Sequence, residues 1–143
     1  MSKGFTFIEL LVAIMIVSIL SVVAVSSYQD YTLRTQRADA KAVLLEAAAR
    51  LERNYTAIRC YDMTDVCGTG TAVSLSTWGL DRSPKETSST KRYEISFTSI
   101  SPTGFTLKAH PVGSDPTCLD LGLDNLGNQT VSGTGSVADC WQH

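Results

Sequence analysis

Residues Lys3–Leu20 read KGFTFIELLVAIMIVSIL, an almost unbroken apolar run that keeps one carboxylate, Glu9, close to its start. Carried on to Val25, the segment Phe5–Val25 has 21 residues, and Glu9 is its sole charge. Coiled as a helix at ~1.5 Å per residue it measures ~31 Å, enough to cross a bilayer core. A secretory signal peptide would have a shorter apolar core and a small-residue cleavage site at its far end. AVSS at 24–27 has that look. Glu9, however, is out of place in the apolar region of a signal, and the helical pattern continues past it.

Burying a lone carboxylate in hydrocarbon costs at least ~2.5–3.5 kcal/mol near the centre of a span, and less near an end. Two readings of Glu9 follow. It rests at the headgroup level, or it awaits a cationic partner inside an assembly. Cutting the chain after Gly4 would place a free amine on Phe5, four residues before Glu9. A neighbouring subunit's glutamate could meet that amine in a low-dielectric setting, where the pair is strongly felt.

Beyond Ser26 the chain reads SYQDYTLRTQRADAKAVLLEAAARLERNY, and no Gly or Pro occurs between Phe5 and Tyr55. Good helix formers dominate. Ala40, Leu44, Ala47, Ala48, Leu51 and Tyr55 follow the 3-and-4 spacing of one helical face. Arg34, Arg37, Lys41, Glu46, Arg50 and Arg53 occupy much of the remainder, with Glu46 and Arg50 spaced as an i,i+4 ion pair. The pattern predicts one helix of about 50 residues, ~75 Å long, apolar all round in its first half and amphipathic in its second. Helices in globular proteins average about 12 residues, so this length needs an external reason.

The whole chain has 143 residues and a net charge of −2. That is room for one domain plus an appendage. Near-neutrality disfavours nucleic acid as a partner, or allows only a weak one, and no acidic block marks a disordered tail. The part after the apolar segment is small and calls for staples. Four cysteines, Cys60, Cys67, Cys118 and Cys140, are available. An even count suits two disulfides in a domain that leaves the cytoplasm. Three pairings are possible; sequence order favours Cys60–Cys67 and Cys118–Cys140, because each is local. In the chain-entropy account such loops stabilise by roughly 2.5–3 kcal/mol each. The spacings lack the short C-x-x-C pairs and histidine partners of zinc sites.

KGFTFIELLVAIMIVSIL resembles the prepilin motif of the type IV pilin family: a short basic leader ending in Gly, then Phe, then Glu four residues on, then a continuous apolar helix. The resemblance covers about the first 55 residues, and the short leader MSKG looks like the type IVa group. It implies cleavage between Gly4 and Phe5 by a membrane-embedded prepilin peptidase, N-methylation of Phe5, and a role for Glu9 in registering a new subunit in a helical filament. CLDLGLDNLGNQTVSGTGSVADCW, from Cys118, resembles the disulfide-bounded C-terminal region of such pilins, most of all PilE-like minor pilins, which implies a Cys118–Cys140 bond. Cys60–Cys67 has no counterpart in that resemblance. Members of the family often carry a Gly and a Pro in the membrane helix, whereas Ser18 and Ser26 stand there in this chain. Serine bends a helix by bonding back to the i−4 carbonyl but keeps its own N–H.

Residues 56–92 have no sustained period and read as a connecting loop, with a short turn near Leu75–Trp78 and with Val73, Trp78 and Leu80 packing onto the domain. Strand signals follow. YEISFTS alternates Tyr93, Ile95 and Phe97; FTLKAH alternates Phe105, Leu107 and Ala109; Pro102 and Gly104 supply the turn between them. CLDLGLDNLGNQTV reads as a third strand, a turn at Asp124–Asn128 and a return strand. The expected fold is α+β, with four antiparallel strands on the amphipathic half of the helix. The organisation expected is a leader at 1–4, a membrane and assembly segment at 5–25, an amphipathic helix at 26–55, a loop region at 56–92, and a sheet with a disulfide-bounded tail at 93–143.

No catalytic constellation is visible, and the chain does not read as an enzyme. His110 and His143 are isolated. LDLGLDNLGN misses the EF-hand spacing for calcium and is better explained by turn chemistry. Asn54-Tyr55-Thr56 and Asn128-Gln129-Thr130 match the glycosylation sequon. Arg34, Arg37 and Lys41 could touch phosphates, but three basic residues on one helix are more often a solvated face or partners for a neighbouring subunit. No cofactor and no metal is implied.

The function expected is a structural subunit of a bacterial type IV pilus, a minor pilin aiding assembly or initiation and thereby twitching motility, adhesion or DNA uptake. A major pilin and a type II secretion pseudopilin are the alternatives. The partners implied by the resemblance are other pilin subunits, the prepilin peptidase, an assembly platform in the inner membrane, and lipid before assembly. The chain is expected in the inner membrane, its globular part periplasmic, and then in an extracellular pilus.

Overall fold

The computed structural model describes residues 6–86 and 90–142, with the side chains of 22–27 left out. Helix α1 runs Phe7–Ile58, followed by strands β1 (Arg82–Ser83), β2 (Tyr93–Ser101), β3 (Gly104–Pro111), β4 (Leu121–Asp124) and β5 (Gln129–Val131) and a short helix α2 (Val137–Trp141). The chain divides into two compact units, Met1–Arg34 and Thr35–His143.

Among the described residues, the first unit is the early part of α1 preceded by Thr6. Its apolar side chains have no core of their own to enter: Phe7, Ile14, Met15 and Leu20 are all more than half exposed. Ser18 Oγ donates to the Ile14 carbonyl at 2.7 Å, and Ser21 Oγ to Val17 at 2.8 Å. These back-bonds leave the helix continuous, because serine, unlike proline, retains the backbone donor. The Ser26 side chain lies outside the described residues. Among the described residues no helix is long and apolar enough to cross a membrane. The expected span at 5–25 extends beyond the described side chains at both ends.

In the second unit, the later part of α1 lies on one face of a meandering sheet of order β1-β2-β3-β4-β5, antiparallel throughout. Ala40, Leu44, Ala47 and Leu51 of the helix are fully buried, and Val43 joins them. Tyr93 and Ile95 of β2, Phe105, Leu107 and Ala109 of β3, and Leu121 and Leu123 of β4 form the facing layer. The alternation read from the sequence thus marks the inward face. A β-bulge between Phe97 and Ser99 shifts the register by one residue. Ile100 thereby joins Phe97 against the core despite its opposite parity.

Three expectations need correction. The sheet has five strands rather than four, since Arg82 pairs with Glu94 and Ser83 with Tyr93 inside the segment read as loop. A strand of two residues offers no period to detect. Helix α1 also runs to Ile58, into that segment. Finally, Glu46 and Arg50 do not pair with each other: Glu46 accepts Lys85 Nζ at 2.7 Å, and the Arg50 guanidinium lies over the Trp78 ring.

Candidate functional site

Glu9 lies in the first turn of α1, where a carboxylate complements the positive end of the helix dipole. Its backbone N–H reaches the Thr6 carbonyl at 3.1 Å, and its surroundings are open. Gly4 and Phe5, the expected cleavage and methylation positions, lie outside the described residues, as does His143.

Cys60 is bonded to Cys67 and Cys118 to Cys140, with Cα–Cα separations of 5.8 and 5.7 Å. The second bond ties the segment before β4 to α2. That helix is only five residues long and carries a capping box, in which Ser136 and Asp139 satisfy each other's backbone N–H. Trp141 closes over the core, its indole donating to the Thr130 carbonyl at 3.2 Å.

The three basic residues read as one solvated face separate in the structure. Arg37 Nε and Nη2 donate to the two oxygens of Asp115 at 2.8 and 2.6 Å. Tyr93 Oη donates to the same carboxylate at 2.8 Å, and the Cys118 N–H at 3.2 Å. Burial alone would raise the Asp115 carboxyl, but these donors outweigh it and hold it below the usual carboxylate range. Burial, followed by the bond to Asp115, pushes the Tyr93 phenol well up. Lys41 Nζ donates to the Trp141 carbonyl at 3.2 Å, while burial and then the Arg37 charge lower its pKa. Arg37 and Lys41 therefore fasten α1 to the C-terminal region; only Arg34 keeps an exposed position.

Other candidate residues are committed to local structure. The Asp124 carboxylate accepts the Leu126 and Asn128 N–H groups and the Asn128 side-chain amide, an Asx-type turn that Gly127 completes with φ of 81°. His110 Nδ1 meets Asp120 Oδ1. Both sequon asparagines spend their amides internally, Asn54 on the Cys60 and Met63 carbonyls and Asn128 on Asp124. Among the described residues no cluster of His, Cys, Asp or Glu could hold a metal ion.

A polar cleft of about 470 Å³ opens between α1 and the loops that follow it, lined by Arg50, Arg53, Asn54, Thr64 and Trp78. The Arg50 Cζ sits 4.7 Å from the Trp78 ring centroid, within cation–π range. Trp78 is half-buried in the turn Leu75–Gly79, held by Trp78 N–H to Leu75 O at 3.1 Å and Leu80 N–H to Leu75 O at 2.9 Å. Among the described residues Arg53 bonds only back along its own helix, to the Ala49 carbonyl. Sequence reading missed this grouping. Arg50 and Trp78 are far apart in the chain, and an arginine three residues from another on a helix looks like ordinary surface.

Comparison with known proteins places these features. The family described as "Type IV minor pilin ComP, DNA uptake sequence receptor" matches residues 26–122, and the prokaryotic N-terminal methylation motif matches residues 1–25. A Pseudomonas aeruginosa fimbrial protein is 49% identical over 49 residues, 33% of this chain and 32% of its own length. The Neisseria gonorrhoeae type IV major pilin protein PilE1 is 55% identical over 40 residues, 28% of this chain and 24% of its own. The chain thus spans a third or less of these relatives. The crystal structure of the Neisseria meningitidis non-core minor pilin PilV shares the fold, with a TM-score of 0.50 and 22% identity over 74% of this chain and 92% of that one.

Proposed function

Because this chain belongs to the type IV minor pilin family, we propose that it is a low-abundance subunit of a type IV pilus whose globular part receives DNA during uptake. The observation that carries the reading is the family match over residues 26–122, which takes in most of the second unit and whose description names a DNA uptake sequence receptor. The net charge of −2 disfavours nucleic acid as a partner of the chain as a whole, and the reading therefore rests on local placement of charge. Phosphate contacts depend on a few placed cations rather than on the sum over the chain. The families matched are those of structural proteins, which supports a non-enzymatic role.

In this reading the chain is inserted in the inner membrane through residues 5–25, with its globular part outside the cytoplasm. A prepilin peptidase cuts between Gly4 and Phe5, Phe5 is methylated, and the assembly platform adds the subunit to a filament. The match to the methylation motif supports the processing steps. Glu9 then accepts the free amine of an adjacent subunit. The exposed apolar side chains of the first unit, with no core of their own, suit packing first against lipid and then against neighbouring helices.

A gene deletion complemented with the unaltered chain or with Glu9→Leu tests the reading. Sheared filaments are analysed by mass spectrometry, and uptake of labelled DNA is counted. Filaments should contain the chain in small amount, beginning at methylated Phe5. The deletion should retain filaments but lose uptake, and Glu9→Leu should not restore it. Absence of the chain from filaments would refute the filament role; undiminished uptake would refute the receptor role. The likeness to fimbrial and major pilin proteins favours a major pilin as the second reading, which a dominant share of the filament mass would establish.

A further inference from the structure

We propose that the cleft between Arg50, Arg53 and Trp78 is a phosphate-contacting site for the DNA backbone, which positions the duplex without reading its sequence. The inference rests on the receptor reading above and assigns part of its surface. Arg50 and Arg53 form no ion pair with a carboxylate among the described residues, whereas Arg37, Lys85, Lys91 and Lys108 all do. Arg50 instead lies over the Trp78 ring, 4.7 Å from its centroid, and among the described residues no hydrogen bond engages its N–H donors. A planar fork with free donors suits a phosphate's paired oxygens. Arg53, one helical turn on, adds a second cation at the spacing of neighbouring side chains on one face.

The walls of the cleft are set before any ligand arrives. Asn54 Nδ2 ties α1 to the Cys60 and Met63 carbonyls at 3.1 and 2.6 Å. The Cys60–Cys67 bond closes the loop carrying Thr64, and Thr64 N–H and Oγ1 both donate to the Thr71 carbonyl. Two carboxylates of this region accept neutral donors, Glu52 from Tyr61 Oη at 3.0 Å and Asp65 from the Thr71 N–H at 2.7 Å, while Asp62 Oδ1 is buried without a partner among the described residues. A site whose cations are already oriented loses little freedom on binding. Because Asn54 has spent its amide on the protein, base-edge contacts must come from elsewhere on the surface.

The test uses the full chain in non-ionic detergent and a short fluorescein-labelled DNA duplex of random sequence, with anisotropy titrations between about 50 and 200 mM salt. Removing both cations (Arg50→Ala with Arg53→Ala) should weaken binding and make the slope of log affinity against log salt shallower by about 2, one step of ~0.9 per lost phosphate contact. Trp78→Leu should weaken binding while its own charge count is unchanged. Lys85→Ala, which removes a cation already paired with Glu46, should leave the slope as it was. Binding by the unaltered chain with a slope indifferent to Arg50 and Arg53 would overturn this site and leave the receptor reading standing. No binding by the unaltered chain even at low salt would overturn both.

Discussion

Arg37 and Asp115, separated by 78 residues, form a two-pronged ion pair at 2.8 and 2.6 Å. The carboxylate's side chain is 1% exposed. It joins the helix to the segment leading into the Cys118–Cys140 loop, and Tyr93 of β2 closes the triad.

Breaking one side of a buried pair strands the other charge. Arg37→Ala should therefore lower the unfolding free energy by about 3–5 kcal/mol. Lys85→Ala, which breaks a pair whose two side chains are each nearly half exposed, should cost no more than about 1 kcal/mol. Urea titrations of the two variants in detergent, followed by near-UV circular dichroism, check the difference. Equal midpoints would show that the Arg37 pair carries no special weight.

The same triad makes stability depend on pH at both extremes. The Asp115 carboxyl is held below its ordinary value in the folded state. Its contribution is therefore present above the unfolded value of about 3.9 and is lost as pH falls through the lower folded value. The Tyr93 phenol is raised, so its contribution is present below about pH 10 and is lost as pH climbs toward the folded value. Melting temperature should fall off on both flanks. Asp115→Asn should flatten the acid flank, and Tyr93→Phe the alkaline one.

The two disulfides close loops of different length, with sequence separations of 22 and 7. Replacing Cys118 and Cys140 by Ser should cost about 3 kcal/mol, and replacing Cys60 and Cys67 about 2.5 kcal/mol, by loop-closure entropy. Calorimetry should rank the melting temperatures in that order, the first pair being the more damaging.

Adjacent leucines on α1 provide an internal contrast. Leu44 is fully buried, whereas Leu45 is 52% exposed. Leu44→Ala should destabilise by about 2–5 kcal/mol, and Leu45→Ala by no more than about 0.5 kcal/mol. Loss of filament incorporation by Leu45→Ala without loss of stability would mark that position as a subunit contact.

Local periodicity determined much of this protein from sequence alone. The uninterrupted run from Phe5 to Tyr55 requires a long helix, and Ala40, Leu44, Ala47 and Leu51 name its buried stripe. The alternation of Tyr93 with Ile95, and of Phe105 with Leu107, names the inward face of the sheet. Glu9 and the apolar residues around it mark the segment that resembles the prepilin motif and matches the N-terminal methylation motif. These features are legible because the pitch of a helix and the pleat of a strand repeat along neighbouring residues. Tertiary structure alone decided which cation meets which carboxylate. Arg34, Arg37 and Lys41 look alike in sequence, yet only Arg37 lies where the fold delivers Asp115. It alone decided that Arg50 leaves Glu46 for Trp78, and that Arg82 and Ser83 form an edge strand. Side-chain partners across long stretches of chain are chosen by the packed arrangement of elements, and no repeat in the sequence records that choice.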